Sequence, residues 1–85
     1  MDEKPRVVVL ILSYNGVDLL KDALSSYLSS SYSNLKIVLI DNGSKDNTKE
    51  YVKTFFPEID LFRIGDNRGY SGGFNAGITY VKSKY

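Results

Sequence analysis

The chain has 85 residues, 42 % hydrophobic and 25 % charged, which suits one small globular domain and excludes a disordered segment. Lys plus Arg is 11 and Asp plus Glu is 10, so charge gives no reason to expect nucleic acid or an anionic membrane as partner. Cysteine and histidine are absent, which excludes a disulfide framework, thiolate metal sites, a cysteine nucleophile and the commonest general base.

The longest apolar run, residues 7–12, is far below the roughly 20 residues a membrane-spanning helix needs. The polar start, Met1 to Pro5, lacks the pattern of a secretory signal. No transmembrane segment is expected, and the expected location is cytoplasmic, extending to a peripheral position at the inner face of the membrane.

Strand and helix patterns alternate along the chain. Residues 6–13 (RVVVLILS) form a continuous β-branched and apolar run, as in a parallel strand covered on both faces. Tyr14-Asn15-Gly16 breaks it. Leu20, Ala23, Leu24, Tyr27, Leu28 and Ser31 then recur at helical spacing, with Asn15 or Asp18 as candidate cap. The Ser-rich stretch 29–34 reads as a loop. Residues 35–40 (LKIVLI) predict a second buried strand, ending at Asp41-Asn42-Gly43-Ser44. A second helix is predicted from Asp46 or Asn47, with Asn47 and Glu50 at capping-box spacing. Tyr51, Val52, Phe55 and Phe56 are its expected inner face, and Pro57 its stop. Residues 59–64 (IDLFRI) predict a third, edge strand. Residues 65–73 read as a glycine-rich loop, and Phe74, Gly77, Ile78 and Val81 as a last helix.

The expected fold is therefore α/β and three-layered, a parallel sheet in the order 3-2-1 with a βαβαβα rhythm. The apolar first strand keeps one free edge, a site for self-association.

Ligands of open α/β sheets bind beyond the carboxyl ends of the strands. Three segments fall there: Ser13-Tyr14-Asn15-Gly16, Asp41-Asn42-Gly43-Ser44, and Asp66 to Gly73. Asp41 can accept from a base N–H or a ribose hydroxyl, or simply form a turn. Asn42 offers donor and acceptor to a pyrimidine edge, and Asn-Gly is also a strong turn signal. Tyr14 can stack on a base or pack. Gly69, Gly72, Gly73 and Gly77 permit close backbone approach, and a helix starting at Gly72 or Gly73 would aim free N–H groups at an anion. Gly77 equally suits close helix packing. Arg68 can meet a phosphate or stay solvated. There is no phosphate-binding P-loop, and the single glycine after the first strand argues against a dinucleotide-binding domain.

Three pieces, VVVLILSYNG (7–16), IVLIDNGSKDNT (37–48) and NRGYSGGFNAGI (67–78), occur in the order and spacing of family 2 glycosyltransferases of the GT-A fold, which the chain resembles over nearly its whole length. The Asp-Asn-Gly-Ser and Gly-Tyr-Ser-Gly-Gly-Phe-Asn forms are most similar to the rhamnosyltransferase-like branch, and the resemblance implies a cell-envelope polysaccharide as the expected product. The resemblance implies an inverting transfer from a UDP- or dTDP-linked sugar to a glycan or lipid-linked acceptor. It assigns nucleotide-sugar contacts to Ser13, Tyr14, Asn15, Asp41, Asn42, Asn67, Gly69, Gly72, Gly73 and Asn75. The family's second acid after strand 2 is here the amide Asn42.

The family's Asp-x-Asp motif, which holds Mg²⁺ or Mn²⁺, and its catalytic base are expected beyond Tyr85; Asp66-Asn67-Arg68 lacks the second carboxylate. Residues 1–85 are thus expected to be the N-terminal nucleotide-binding part, with no catalytic or metal-binding residue of its own, binding nucleotide weakly without turnover. Two alternatives remain: a truncated non-enzymatic binding module, and another Rossmann-like enzyme with Asp41 on a ribose.

Overall fold

A computed structural model of the chain describes residues 5–29 and 34–85. The polar start and most of the Ser-rich loop, Ser31 included, lie outside those residues. The elements run β1 (Val7–Ser13), α1 (Val17–Leu28), β2 (Leu35–Asn42), α2 (Thr48–Phe55), β3 (Asp60–Ile64) and α3 (Gly69–Lys84). The strands form one parallel sheet in the order β1-β2-β3, which is the expected order read from the other edge.

Alternation along β2 divides the interior into two layers. Ile37 and Leu39 turn to one face, where they meet Leu20 and Leu24 of α1, Val52 of α2, and Phe56 and Ile59. Ile11 and Leu61, from the flanking strands, pack against the same cluster. Each such side chain contributes roughly 1.5–3 kcal/mol through burial. Ile40 and Asn42 turn to the opposite face, against α3. There Phe62 stacks on Tyr80 with ring centroids 4.4 Å apart.

Helix α3 lies close to the sheet because two of its glycines have no side chain. A Cβ at Gly73 would stand 2.8 Å from Leu12 Cδ1 and 2.9 Å from Asn42 Nδ2, and one at Gly77 would overlap Ile40. This contact explains a correction to the sequence reading. Residues 69–73 are not a loop: α3 begins at Gly69, three or four residues earlier than expected, and Gly72 and Gly73 lie inside it. Glycine costs about 1 kcal/mol in a helix interior, and close packing on the sheet outweighs that local preference.

The caps differ as well. Gly16 is the N-cap of α1, with no side-chain bond of its own. Asn47 is the N-cap of α2 and likewise makes none, so no capping box forms. Phe55 and Tyr27 are not inner-face residues: they are 63 % and 42 % exposed, and the buried positions of α2 are Thr48 and Val52, one turn apart, with the buried Phe56 just past its end. Beyond the pairing with β2, β1 has no further strand neighbour among the described residues, and Val7 at its start is exposed.

Candidate functional site

The three strand-end segments meet at one end of the sheet, held together by side-chain to backbone hydrogen bonds. Asp41 sits one residue before the end of β2 and is fully buried. Its Oδ1 accepts from the Ser44 amide at 2.9 Å, closing the turn after the strand. Its Oδ2 accepts from Arg63 Nε at 3.0 Å. Arg63 is Asp41's register partner on β3, so parallel pairing puts acid and base on the same face. Arg63 Nη2 also donates to the Ser44 carbonyl at 3.3 Å.

Asn42 points the other way, toward α3, and is also buried. Its Nδ2 donates to Asn67 Oδ1 at 3.2 Å and to the Gly69 carbonyl at 3.0 Å, and its Oδ1 accepts from the Arg68 amide at 3.0 Å. Asn67 Oδ1 accepts in addition from the Gly69 amide at 2.7 Å, which fixes the first turn of α3. One amide side chain thus organises the whole β3–α3 connection. Gly69 has φ 72°, a value that favours glycine.

The loop after β1 is joined to the loop after β2. The Asn15 amide donates to Ser44 Oγ at 2.8 Å, and Asn15 Oδ1 accepts from the Lys45 amide at 2.7 Å. Asn15 itself adopts φ 50°, which Asn tolerates better than most residues. Asp46 then ties both neighbouring helix starts: its Oδ2 accepts from the Val17 amide at 3.4 Å, and its Oδ1 from the Thr48 amide at 3.1 Å and the Thr48 hydroxyl. Burial pushes the Asp46 carboxyl up, but the hydrogen bonds from the Thr48 side chain and amide and from Val17 outweigh it and hold it below its usual range.

Gly43 completes the clamp. Its φ is 80°, and a Cβ there would stand 2.6 Å from the Asn67 nitrogen and the Asp66 carbonyl carbon. Only glycine lets these two loops touch.

Where the segments meet there is a hollow of about 260 Å³ lined by Leu12, Tyr14, Asn42, Asn67, Gly69 and Tyr70. Tyr14 is 46 % exposed on its rim. Two hollows of about 430 Å³ are larger. One lies between α2 and β3, beside Val52, Phe56 and Asp60, and the other along α3, beside Phe62, Thr79 and Tyr80. Neither gathers the loops from the strand carboxyl ends, where open α/β sheets bind ligands, so the smaller one is the candidate site.

Of the residues expected there, Tyr14, Asn42, Asn67 and Gly69 line this hollow. Gly73 lies against Leu12 and Asn42 and allows the approach of α3. Ser13 is buried at the end of β1, opposite Asp41 in register. Asn15 serves the loop junction. Asp41 faces Arg63 and Ser44 on the other side of the sheet. Gly72 sits within α3 against Arg68 Cβ, and Asn75 is exposed further along the helix. In the sequence reading Gly43, Ser44, Asp46, Arg63 and Tyr70 carry no individual site role, although Gly43, Ser44 and Tyr70 lie within the strand-end segments. The signal for Arg63 was present: it stands one residue before the end of its strand, as Asp41 does.

The residues described do not fit a divalent-cation site. No group of three or more His, Cys, Asp or Glu converges among them. Both Asp41 oxygens are engaged, and Asp66 is exposed, 3.7 Å from Arg68 Nε.

An open parallel sheet with clamped polar loops beyond its strand ends places the chain among α/β domains, whose ligands bind at that end of the sheet. The chain matches the family description "Glycosyl transferase family 2" over residues 8–85, and it belongs to that family. It is 32 % identical over 81 residues to an uncharacterized glycosyltransferase of Rickettsia prowazekii (strain Madrid E), covering 95 % of this chain and 25 % of that protein. It is 31 % identical over 87 residues to the poly-beta-1,6-N-acetyl-D-glucosamine synthase of Staphylococcus aureus (strain MSSA476), covering 100 % of this chain and 21 % of the synthase. Its fold is similar to that of a mannosyltransferase from Pyrobaculum calidifontis in complex with GDP-Man and Mn²⁺, with a TM-score of 0.76 and 25 % identity over 92 % of this chain and 25 % of that one. The chain therefore spans between a fifth and a quarter of the length of these relatives. Among the described residues no helix is long and apolar enough to cross a membrane.

Proposed function

We propose that residues 1–85 are the nucleotide-binding part of a glycosyltransferase domain that takes its sugar from a nucleotide-diphosphate donor and passes it to a glycan or lipid-linked acceptor. The observation that carries this reading is the cross-bonding of all three strand-end loops around the hollow of Tyr14, Asn42, Asn67 and Gly69. Loops fixed in this way present a preorganised surface, which lowers the ordering cost of binding. Tyr14 offers a ring face to a planar base. Asn67 and the turn at Gly69 offer polar groups and backbone to the sugar–phosphate portion.

UDP- and dTDP-sugars are the proposed donors, and the GDP-Man of the similar mannosyltransferase adds GDP to the set worth testing. The rhamnosyltransferase-like motif forms and the similarity to a polysaccharide synthase support a cell-envelope glycan as product, made at the cytoplasmic face. The similar mannosyltransferase contains Mn²⁺, and in this family a divalent ion would neutralise the leaving diphosphate. Since the residues here do not build its site, nucleotide binding by this chain should be largely independent of Mg²⁺ and Mn²⁺.

Calorimetric titration with UDP, dTDP, GDP and NAD, with and without Mg²⁺, tests this. Weak, metal-independent binding of the nucleoside diphosphates is expected. Binding of NAD alone would overturn the reading in favour of a dinucleotide-type enzyme.

A further inference from the structure

The hydrogen bonds between β2 and the start of α3 give the free end of Asn67 a fixed chemical sign. The Arg68 amide donates to Asn42 Oδ1 at 3.0 Å, and only the oxygen end of a carboxamide can accept it. The buried Asn42 is oriented by that bond, and its Nδ2 donates to Asn67 Oδ1 at 3.2 Å and to the Gly69 carbonyl at 3.0 Å. The Gly69 amide donates to the same Asn67 Oδ1 at 2.7 Å. Two donors therefore converge on the oxygen of Asn67 and leave its nitrogen as the free end. Among the described residues Asn67 Nδ2 donates to no protein group, and Asn67 is exposed and lines the hollow with Tyr14, Gly69 and Tyr70. An amide nitrogen carries two N–H donors and accepts nothing.

We propose that Asn67 is a donor-only contact of the nucleotide site, presenting Nδ2 to an acceptor oxygen of the bound nucleoside diphosphate, and that Asn42 is the positioning residue that sets this polarity without touching the ligand. This deepens the nucleotide-site reading above and rests on it. The acceptor oxygens of such a ligand are those of its phosphoryl groups, ribose and base. The direction of the bond follows from the backbone. The Arg68 and Gly69 amides hold the two carboxamides, and turning either over would set its nitrogen against an N–H and strand a donor. Asn42 is 2 % exposed and has its nitrogen committed to two acceptors within the protein, so it has no donor left for a ligand. A carboxylate at position 42 would set oxygen against the Asn67 oxygen and the Gly69 carbonyl, so this arrangement requires an amide there.

The test is Asn67→Asp, which keeps an oxygen for the Asn42 and Gly69 donors and replaces the outward N–H groups with an anionic oxygen. Its urea midpoint is expected at or above the wild-type value, because hydrogen bonds to a carboxylate are the stronger ones. Its affinity for UDP should fall roughly tenfold or more. Uridine is titrated in parallel. A loss confined to UDP makes the acceptor a phosphoryl oxygen, a loss shared by uridine makes it an oxygen of base or ribose, and both support the donor role. Unchanged UDP affinity in the folded variant overturns the role of Asn67 and leaves the nucleotide site standing. Failure of UDP to bind the wild-type chain overturns the nucleotide site and this proposal with it. The side-chain NH₂ signals of the wild-type chain supply a second measurement that decides even should Asn67→Asp not fold. UDP is expected to shift the Asn67 pair and to move the Asn42 pair much less. A silent Asn67 pair in a chain that binds UDP overturns the proposal, and an Asn42 pair that shifts as far as that of Asn67 overturns the positioning role.

Discussion

Two acidic residues at opposite ends of the sheet use similar chemistry for different purposes. At the carboxyl end Asp41 is buried behind Arg63 and the Ser44 turn; its bonds tie β3 to β2 and close the turn after β2, whose Ser44 Oγ accepts from the Asn15 amide of the loop after β1. At the other end Asp60 begins β3, and its partners all come from the end of the chain. Tyr80 Oη donates to it at 2.7 Å, Tyr85 Oη at 2.8 Å, and Lys84 Nζ approaches to 3.0 Å. Burial raises the Asp60 carboxyl, but the bonds from Tyr80, Lys84 and Tyr85 and the Lys84 charge bring it below its usual range. The first cluster joins β3 to the turn after β2 and, through Ser44, to the loop after β1. The second fastens one helix to one strand. Connectivity, more than charge or burial, separates a binding end from a fastening.

That contrast can be broken by substitution. The largest effect is expected for Asp41→Ala. It strands the Ser44 amide and one side of Arg63, costs about 2–4 kcal/mol in urea denaturation, and abolishes detectable nucleotide binding. Gly77→Ala comes next, because its Cβ overlaps Ile40. An overpacked helix–sheet contact of this kind costs about 1–3 kcal/mol, and nucleotide affinity should fall less than for Asp41→Ala.

Asp60→Asn should cost about 1 kcal/mol and leave nucleotide affinity unchanged. Its pH signature sharpens the comparison. Asp60 and Asp46 both sit below their usual range when folded, so the stability they add is present above pH about 4 and drains as pH falls through their folded values. Lys84 is raised through its hydrogen bonds with Tyr80 and Asp60, so its share is complete below 10.5 and is lost only as pH climbs above that. Denaturation midpoints between pH 2 and 7 should therefore fall less steeply in Asp60→Asn than in the wild-type chain. The smallest effect is expected for Arg68→Ala. Its ion pair with Asp66 is exposed on both sides, and its backbone amide still reaches Asn42, so the urea midpoint should not move measurably.

The alternation of apolar runs with helical spacing was enough to order the elements and the sheet, because parallel strands and crossover connections leave few arrangements. The site was legible only in part. Tyr14, Asn42, Asn67 and Gly69 stood out as polar or glycine residues after strands, and they line one hollow. Asp46 did not stand out, because its partners Val17 and Thr48 start two different helices and meet only in the fold. Gly43 looked like an ordinary Asn-Gly turn, yet its lack of a side chain matters through contact with Asp66 and Asn67 more than twenty residues away. The start of α3 was misplaced because local glycine content argues for a loop, while Gly73 and Gly77 are there to fit Leu12, Asn42 and Ile40. Each miss depended on contact between distant segments, which periodicity does not report.

The most direct test of a nucleotide site at the carboxyl end is residue-resolved amide NMR during a UDP titration. Shifts are expected to concentrate at Tyr14, Asn42, Gly43, Ser44, Asn67 and Gly69, with Asp60, Tyr80 and Lys84 silent. Shifts centred on Asp60 and the end of α3, or none at saturating UDP, would contradict the assignment.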